Sequence, residues 1–214
     1  MDTSSAPRLR GWLHLATLPA IIIAGLTLTA LGPTYPARIA AAIYALTSMS
    51  LFGISALYHR ATLTDITRIS LKRFDHANIY LIIAGTYTPI AVLALDGAAS
   101  LAVLITIWTG AALGVFFRTT WLNAPRWLYT GLYILLGWIA VFFLPQLITG
   151  AGIAAAVLII CGGILYTIGG VIYALKRPNP SQQWFGFHEL FHSFTIAAYI
   201  TQYIAVSLVV YNAT

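Results

Sequence analysis

The sequence predicts an all-α polytopic membrane protein: a bundle of seven transmembrane helices, N-terminus cytoplasmic and C-terminus outside. Three observations carry this. The 214 residues are 60% hydrophobic and 7% charged, whereas soluble domains run about 45–50% apolar and about 25% charged. Seven apolar runs recur, each near or above the roughly 20 residues that cross a hydrocarbon core. When those runs alternate in direction, nearly all basic residues fall on one side.

The runs fall at about 12–31, 36–58, 75–95, 98–117, 126–145, 151–175 and 184–211. Breakers separate them: Gly32-Pro33 and Pro36, Asp96-Gly97, Asn123-Ala124-Pro125, Pro145, Gly150, and Pro178-Asn179-Pro180. Arg8 and Arg10 before the first run raise the question of a signal peptide. That run is long for a signal core, and the charge pattern below needs it, so it is read as a retained first helix. Short connections point to a single domain over 1–214. Pro89, with Gly85, Thr86 and Thr88 before it, predicts a kink in helix three.

Of the 11 Lys and Arg residues, alternation places ten on one side: Arg8, Arg10, Arg60, Arg68, Lys72, Arg73, Arg118, Arg126, Lys176 and Arg177. Arg38 alone falls opposite. That bias makes the first side cytoplasmic. The basic residues stand singly or in pairs between apolar runs, which excludes a nucleic-acid partner. Cys161 is the one cysteine, so no internal disulfide forms. It reads as apolar surface. Lys72 and Lys176 both sit at cytoplasmic loops, which excludes a mid-helix Schiff base and a retinal protein.

Ionisable groups inside a membrane are expensive, so each one needs a reason. His59 ends helix two, Asp75 and His76 open helix three, and His188, Glu189 and His192 open helix seven. Topology brings these three regions to the cytoplasmic end of the bundle. Ser55 and His59 lie four residues apart on one helix face, as do His188 and His192. Two histidines at that spacing can share one metal ion, and His59 would be the third ligand. Three histidines with an open fourth position is the arrangement of catalytic zinc; iron, nickel and copper also accept imidazole. Asp75 is then the candidate base, and Ser55, one turn deeper, a hydrogen-bonding partner of water, aspartate or substrate carbonyl. The bland alternative for Asp75 is an interfacial ion pair with Arg73 or Lys72. His14 reads as an interfacial residue that snorkels to water; His76 is open between an extra ligand, a partner behind the ligands and an interfacial residue.

His188-Glu189-Leu190-Phe191-His192 matches H-E-x-x-H, the metalloprotease signature, in which the Glu is the base. No His, Asp, Glu or Cys follows His192 to supply that enzyme's third ligand. Asp75 is therefore favoured over Glu189.

The segments Ser55-Ala56-Leu57-Tyr58-His59, Phe74-Asp75-His76 through Gly85-Thr86-Tyr87-Thr88-Pro89, and His188-Glu189-Leu190-Phe191-His192 resemble the hemolysin III family. That family is the bacterial branch of the progestin and adipoQ receptor (adiponectin receptor-like) family, and the wider group includes alkaline ceramidases. The resemblance covers nearly the whole chain. It implies a seven-helix core, Zn2+ on His59, His188 and His192, and an aspartate at Asp75 that reaches the zinc through water. It further implies a zinc-dependent hydrolase of lipid amide or ester bonds in the cell membrane, with the lipid bilayer and a lipid amide as partners. The long cytoplasmic region of the eukaryotic receptors is lacking, which points away from hormone reception. Two other functions compete: a membrane sensor or regulator with a structural zinc, and a hemolysin-like pore. The pore would need polar residues along the whole bundle, which Thr, Ser, Tyr and Gln202 supply thinly.

Overall fold

The computed structural model describes residues 7–121 and 123–213. Among them there is helix and turn but no strand. The helices are α1 (Trp12–Leu31), α2 (Tyr35–Arg60), α3 (Asp65–Ala94), α4 (Gly97–Thr120), α5 (Arg126–Gly137), α6 (Leu144–Leu175) and α7 (Phe187–Tyr211). A 3-10 segment, Ile139–Phe143, joins α5 to α6. Six helical stretches are long and apolar enough to cross a membrane, with Arg126–Leu175 counting as one. The chain is thus a multi-pass membrane protein.

That fifth stretch holds 50 residues. A straight helix of this length would reach about 75 Å, over twice the roughly 30 Å hydrocarbon core. It folds back instead. The Arg126 guanidinium donates to the Tyr173 carbonyl at 3.5 Å, and the Trp138 indole to the Thr167 hydroxyl at 2.9 Å. The two legs therefore run side by side in opposite directions. The reversal uses Gly152, at φ 83° and ψ 160°, a region only glycine occupies without strain. The sequence places the break at Pro145–Gly150; the turning residue is two positions later. The first leg is interrupted earlier than expected, after Gly137. There the Tyr87 hydroxyl donates to the Gly137 carbonyl and accepts from the Ala140 amide, both at 2.7 Å. One phenol satisfies the backbone groups that the break releases.

Helix three also differs from its expected start at residue 75. It begins at Asp65, where the Thr64 hydroxyl accepts from the Thr67 amide at 3.4 Å. Residues 65–74 carry Arg68, Lys72 and Arg73, with Ile66, Ile69 and Phe74 exposed, so hydropathy hides this end. Asp75 therefore lies about 15 Å inside the helix. α3 packs against α2, α4, α5, α6 and α7 and forms the centre of the bundle. It runs helical through Pro89, with the Thr88 and Thr86 hydroxyls bonded to the Ala84 and Ile82 carbonyls at 2.8 and 2.7 Å. α7 closes the bundle against α1, α2, α3 and α6. Leu26, Leu113, Phe116 and Phe142 face outward, as a lipid-facing surface requires. Cys161 is exposed there too.

Candidate metal centre

Three helix segments meet at one end of the bundle. His59 is in the last turn of α2, and His188 and His192 are on the first two turns of α7. One turn apart on one face, the α7 pair points the same way. The His188 Nε2 lies 3.2 Å from His59 Nε2 and 2.9 Å from His192 Nε2. One ligand nitrogen from each ring falls within 4.8 Å of the others. Each imidazole nitrogen has either one N–H or one lone pair. The His188 nitrogen therefore cannot serve both neighbours well in metal-free form, while a cation would use three lone pairs at once. Tetrahedral bonds of about 2.0–2.1 Å place neighbouring nitrogens about 3.3 Å apart, close to the spacings found. The donor set fits a metal ion.

Asp75 reaches the cluster from α3. Its Oδ2 lies 3.9 Å from His59 Nε2, beyond hydrogen-bonding range but beside the nitrogens. Ser55 is buried one turn deeper than His59, and its hydroxyl interacts with the Asp75 carboxyl. Ser55, Asp75, His188 and His192 together line the head of a cavity of about 130 Å³. The cavity continues past Ile82 and Trp138 to Gln202, ten residues beyond His192. Along α7 that is about 15 Å of depth, and the walls are mainly apolar.

The other ionisable residues of the region divide sharply. Glu189 is buried, with both oxygens engaged. One accepts the Gly186 amide at 2.8 Å, the glutamate half of a capping box, since Gly186 has no side chain to return the bond; the other pairs with Arg10. Its carboxylate therefore fixes the start of α7 and is not turned to the cluster. His76 is held at both ends: Nδ1 donates to the Lys72 carbonyl at 2.7 Å, which leaves Nε2 to accept from the Tyr173 hydroxyl at 3.2 Å. His76 borders the cavity without joining the three nitrogens.

His14 corrects the sequence reading. Expected to snorkel to water, it is 3% exposed. Its ring stacks on His192 with centroids 3.9 Å apart and tilts against Phe52 at 4.6 Å. Neither of its ring nitrogens has a hydrogen-bond partner. The burial follows from α1 packing on both α2 and α7. Gly11, at φ 77°, brings the chain against His59 and Arg60 just before α1 begins. The only sequence signal was a lone histidine inside an apolar run.

Comparison with known proteins identifies the family. A family model described as Haemolysin-III related matches residues 3–203. The chain is 31% identical over 156 residues to "Hemolysin-3 homolog" of Bacillus subtilis, covering 70% of each chain. It is 30% identical over 166 residues to "Hemolysin-3" of Bacillus cereus, covering 76% of this chain and 74% of that one. With the match running through all the segments that supply the cluster, the chain belongs to the haemolysin III family.

Proposed function

We propose that the chain is a zinc-dependent hydrolase of a lipid amide or ester, working at the inner leaflet of the cell membrane. The observation that carries it is the meeting of three histidine nitrogens and Asp75 at the head of a deep apolar cavity. His59, His188 and His192 would hold the ion. A divalent ion there supplies Lewis-acid polarisation of a carbonyl and makes water more acidic. Asp75 takes the proton from the attacking water and returns it to the leaving group. Ser55 orients the Asp75 carboxyl. The apolar walls take the acyl chain and limit bulk water around the scissile bond.

The orientation belongs to the same proposal. Counting the two legs of Arg126–Leu175 separately gives seven crossings. The N-terminal segment, the α2–α3 and α4–α5 connections and the α6–α7 loop then share the cytoplasmic side. Contacts among these regions support that: Arg8 donates its amide to the Gln183 carbonyl at 2.9 Å, and the Arg60 guanidinium lies over Trp12 at 4.4 Å.

The test is a panel of fluorogenic lipid amides and esters offered to the purified, zinc-loaded chain. Hydrolysis of at least one substrate is expected, with Asp75→Ala losing it by about 100-fold or more while keeping the metal. A zinc-loaded protein inert across the panel would sink the hydrolase reading and favour a structural zinc tying α2 to α7.

A further inference from the structure

A second pocket, about 330 Å³, opens outside the histidine cluster. It shares Asp75, His76, Tyr173 and His188 with the deeper cavity, so the cluster lies between the two. Four cations line it, Arg10, Lys72, Arg118 and Arg126, against one carboxylate, Asp75, with Arg10 already paired to Glu189 behind it. A positive-inside bias accounts for basic residues on this side of a bundle. It does not account for Arg118, whose side chain is 1% exposed.

Two of the cations are held on an aromatic platform. The Arg118 guanidinium carbon lies 4.4 Å over the Tyr129 ring, and that of Arg126 lies 4.9 Å over Tyr173 and 5.7 Å over Phe187. The Tyr129 and Tyr173 hydroxyls are 3.4 Å apart, which joins the two halves of the platform. Stacking uses the face of a guanidinium and keeps its charge. The in-plane N–H donors are the part that grips an oxyanion; one on Arg126 is already engaged by the Tyr173 carbonyl at 3.5 Å and one on Arg118 by the Trp121 carbonyl at 3.2 Å. One helix start adds to the field: Arg126 opens α5 at this pocket, whereas the first amides of α7 are taken by Glu189 and Asn179. The α5 dipole presents its positive end there.

We propose that this vestibule binds a phosphate group, carried as the head of a lipid whose chain enters the apolar cavity. Placed on the hydrolase reading, it gives that enzyme a phosphate-headed substrate, with the scissile carbonyl between head and chain. Arg126 and Lys72 grip the phosphate oxygens, and the buried Arg118 adds its positive charge beneath them.

Binding can be read apart from turnover, using ligands that carry no amide or carboxylic ester. The full-length protein in zwitterionic nanodiscs is titrated by native mass spectrometry with dodecyl phosphate, dodecanol, dodecyltrimethylammonium and inorganic phosphate. Dodecyl phosphate is expected to bind at least about tenfold tighter than dodecanol, and the ammonium weakest. Arg126→Gln, half-buried and so tolerant, lowers the dodecyl phosphate affinity about tenfold and leaves dodecanol unchanged. Arg177→Gln removes the same charge at an exposed site outside the pocket and leaves both unchanged. Equal binding of dodecyl phosphate and dodecanol by the wild type overturns the proposal. So does a phosphate preference that survives both Arg126→Gln and Arg126→Gln with Lys72→Gln, because it would then arise outside the vestibule's exposed cations. Inorganic phosphate displacing dodecyl phosphate at equal concentration overturns the lipid source. A silent hydrolysis panel with head-group selectivity intact would remove the hydrolase reading alone.

Discussion

At the start of α7 the two carboxylate oxygens of Glu189 have separate tasks, one on the Gly186 amide and one on Arg10. In the linear sequence Glu189 sits where a metalloprotease keeps its base. The spacing alone cannot tell a base from a cap, because both roles put Glu at that position of a helix start. Glu189→Gln keeps an amide oxygen for the cap and is expected to retain full metal content. Glu189→Ala removes cap and charge together, leaves Arg10 unpaired, and is expected to cost about 3 kcal/mol. Thermal unfolding in detergent with parallel metal analysis checks both; loss of metal in Glu189→Gln would return the residue to the site. His14 poses the opposite case. Its buried ring has two unpartnered nitrogens and stacks on a cluster histidine. His14→Phe keeps the stack and removes the unpaired polar atoms, which cost about 1–3 kcal/mol when buried. A rise in Tm with metal affinity unchanged is expected. A fall in metal affinity would show that His14 does more than support His192.

The elements carry the site through their ends. α2 finishes on His59, α7 begins on His188, and α3 passes both with Asp75 about three turns inside it. The α5–α6 stretch supplies the far wall, through Trp138 and Gly163. That wall depends on the reversal at Gly152. Gly152→Ala must place a Cβ at φ 83°, and a loss of about 1–3 kcal/mol is expected. The contrast is Gly131, inside α5 with nothing near its missing Cβ. Gly131→Ala is expected to be neutral or to gain up to about 1 kcal/mol. Denaturation of the two variants side by side separates backbone strain from helix propensity. Equal effects would mean that the Gly152 conformation is not maintained. The start of α3 escapes a hydropathy reading because residues 65–74 mix Arg68, Lys72 and Arg73 with Ile66 and Ile69. Thr64 is the local sign of it, a capping residue ahead of a charged helical turn.

For the whole molecule, alternation of apolar runs is what made the site readable. His59, Asp75, His188 and His192 each interrupt or flank an apolar run, and reversing the chain at every run brings them to one end. The exact count of crossings is harder to read, because α5, the 3-10 segment and α6 follow one another without an unwound loop. The stack of His14 on His192 is hidden for a different reason: it joins residues 178 positions apart, through a packing of α1 on α7 that no local pattern encodes. The proposed seven crossings make a sharp expectation for labelling. On a Cys161→Ser background, a cysteine at Tyr211 reacts with membrane-impermeant maleimide from outside intact cells. A cysteine at Arg177 reacts only after lysis. The reverse pattern, Arg177 reacting from outside and Tyr211 only after lysis, would mean that Arg126–Leu175 crosses once, and would contradict the seven crossings.

The metal content of the purified chain bears most directly on the centre itself. Inductively coupled plasma analysis of protein purified without added metal should find about one zinc per chain. His59→Ala, His188→Ala and His192→Ala should each lose it, while His76→Ala and Glu189→Gln keep it. Sub-stoichiometric metal in the wild type, or content unchanged in the three histidine variants, would contradict a metal centre at His59, His188 and His192.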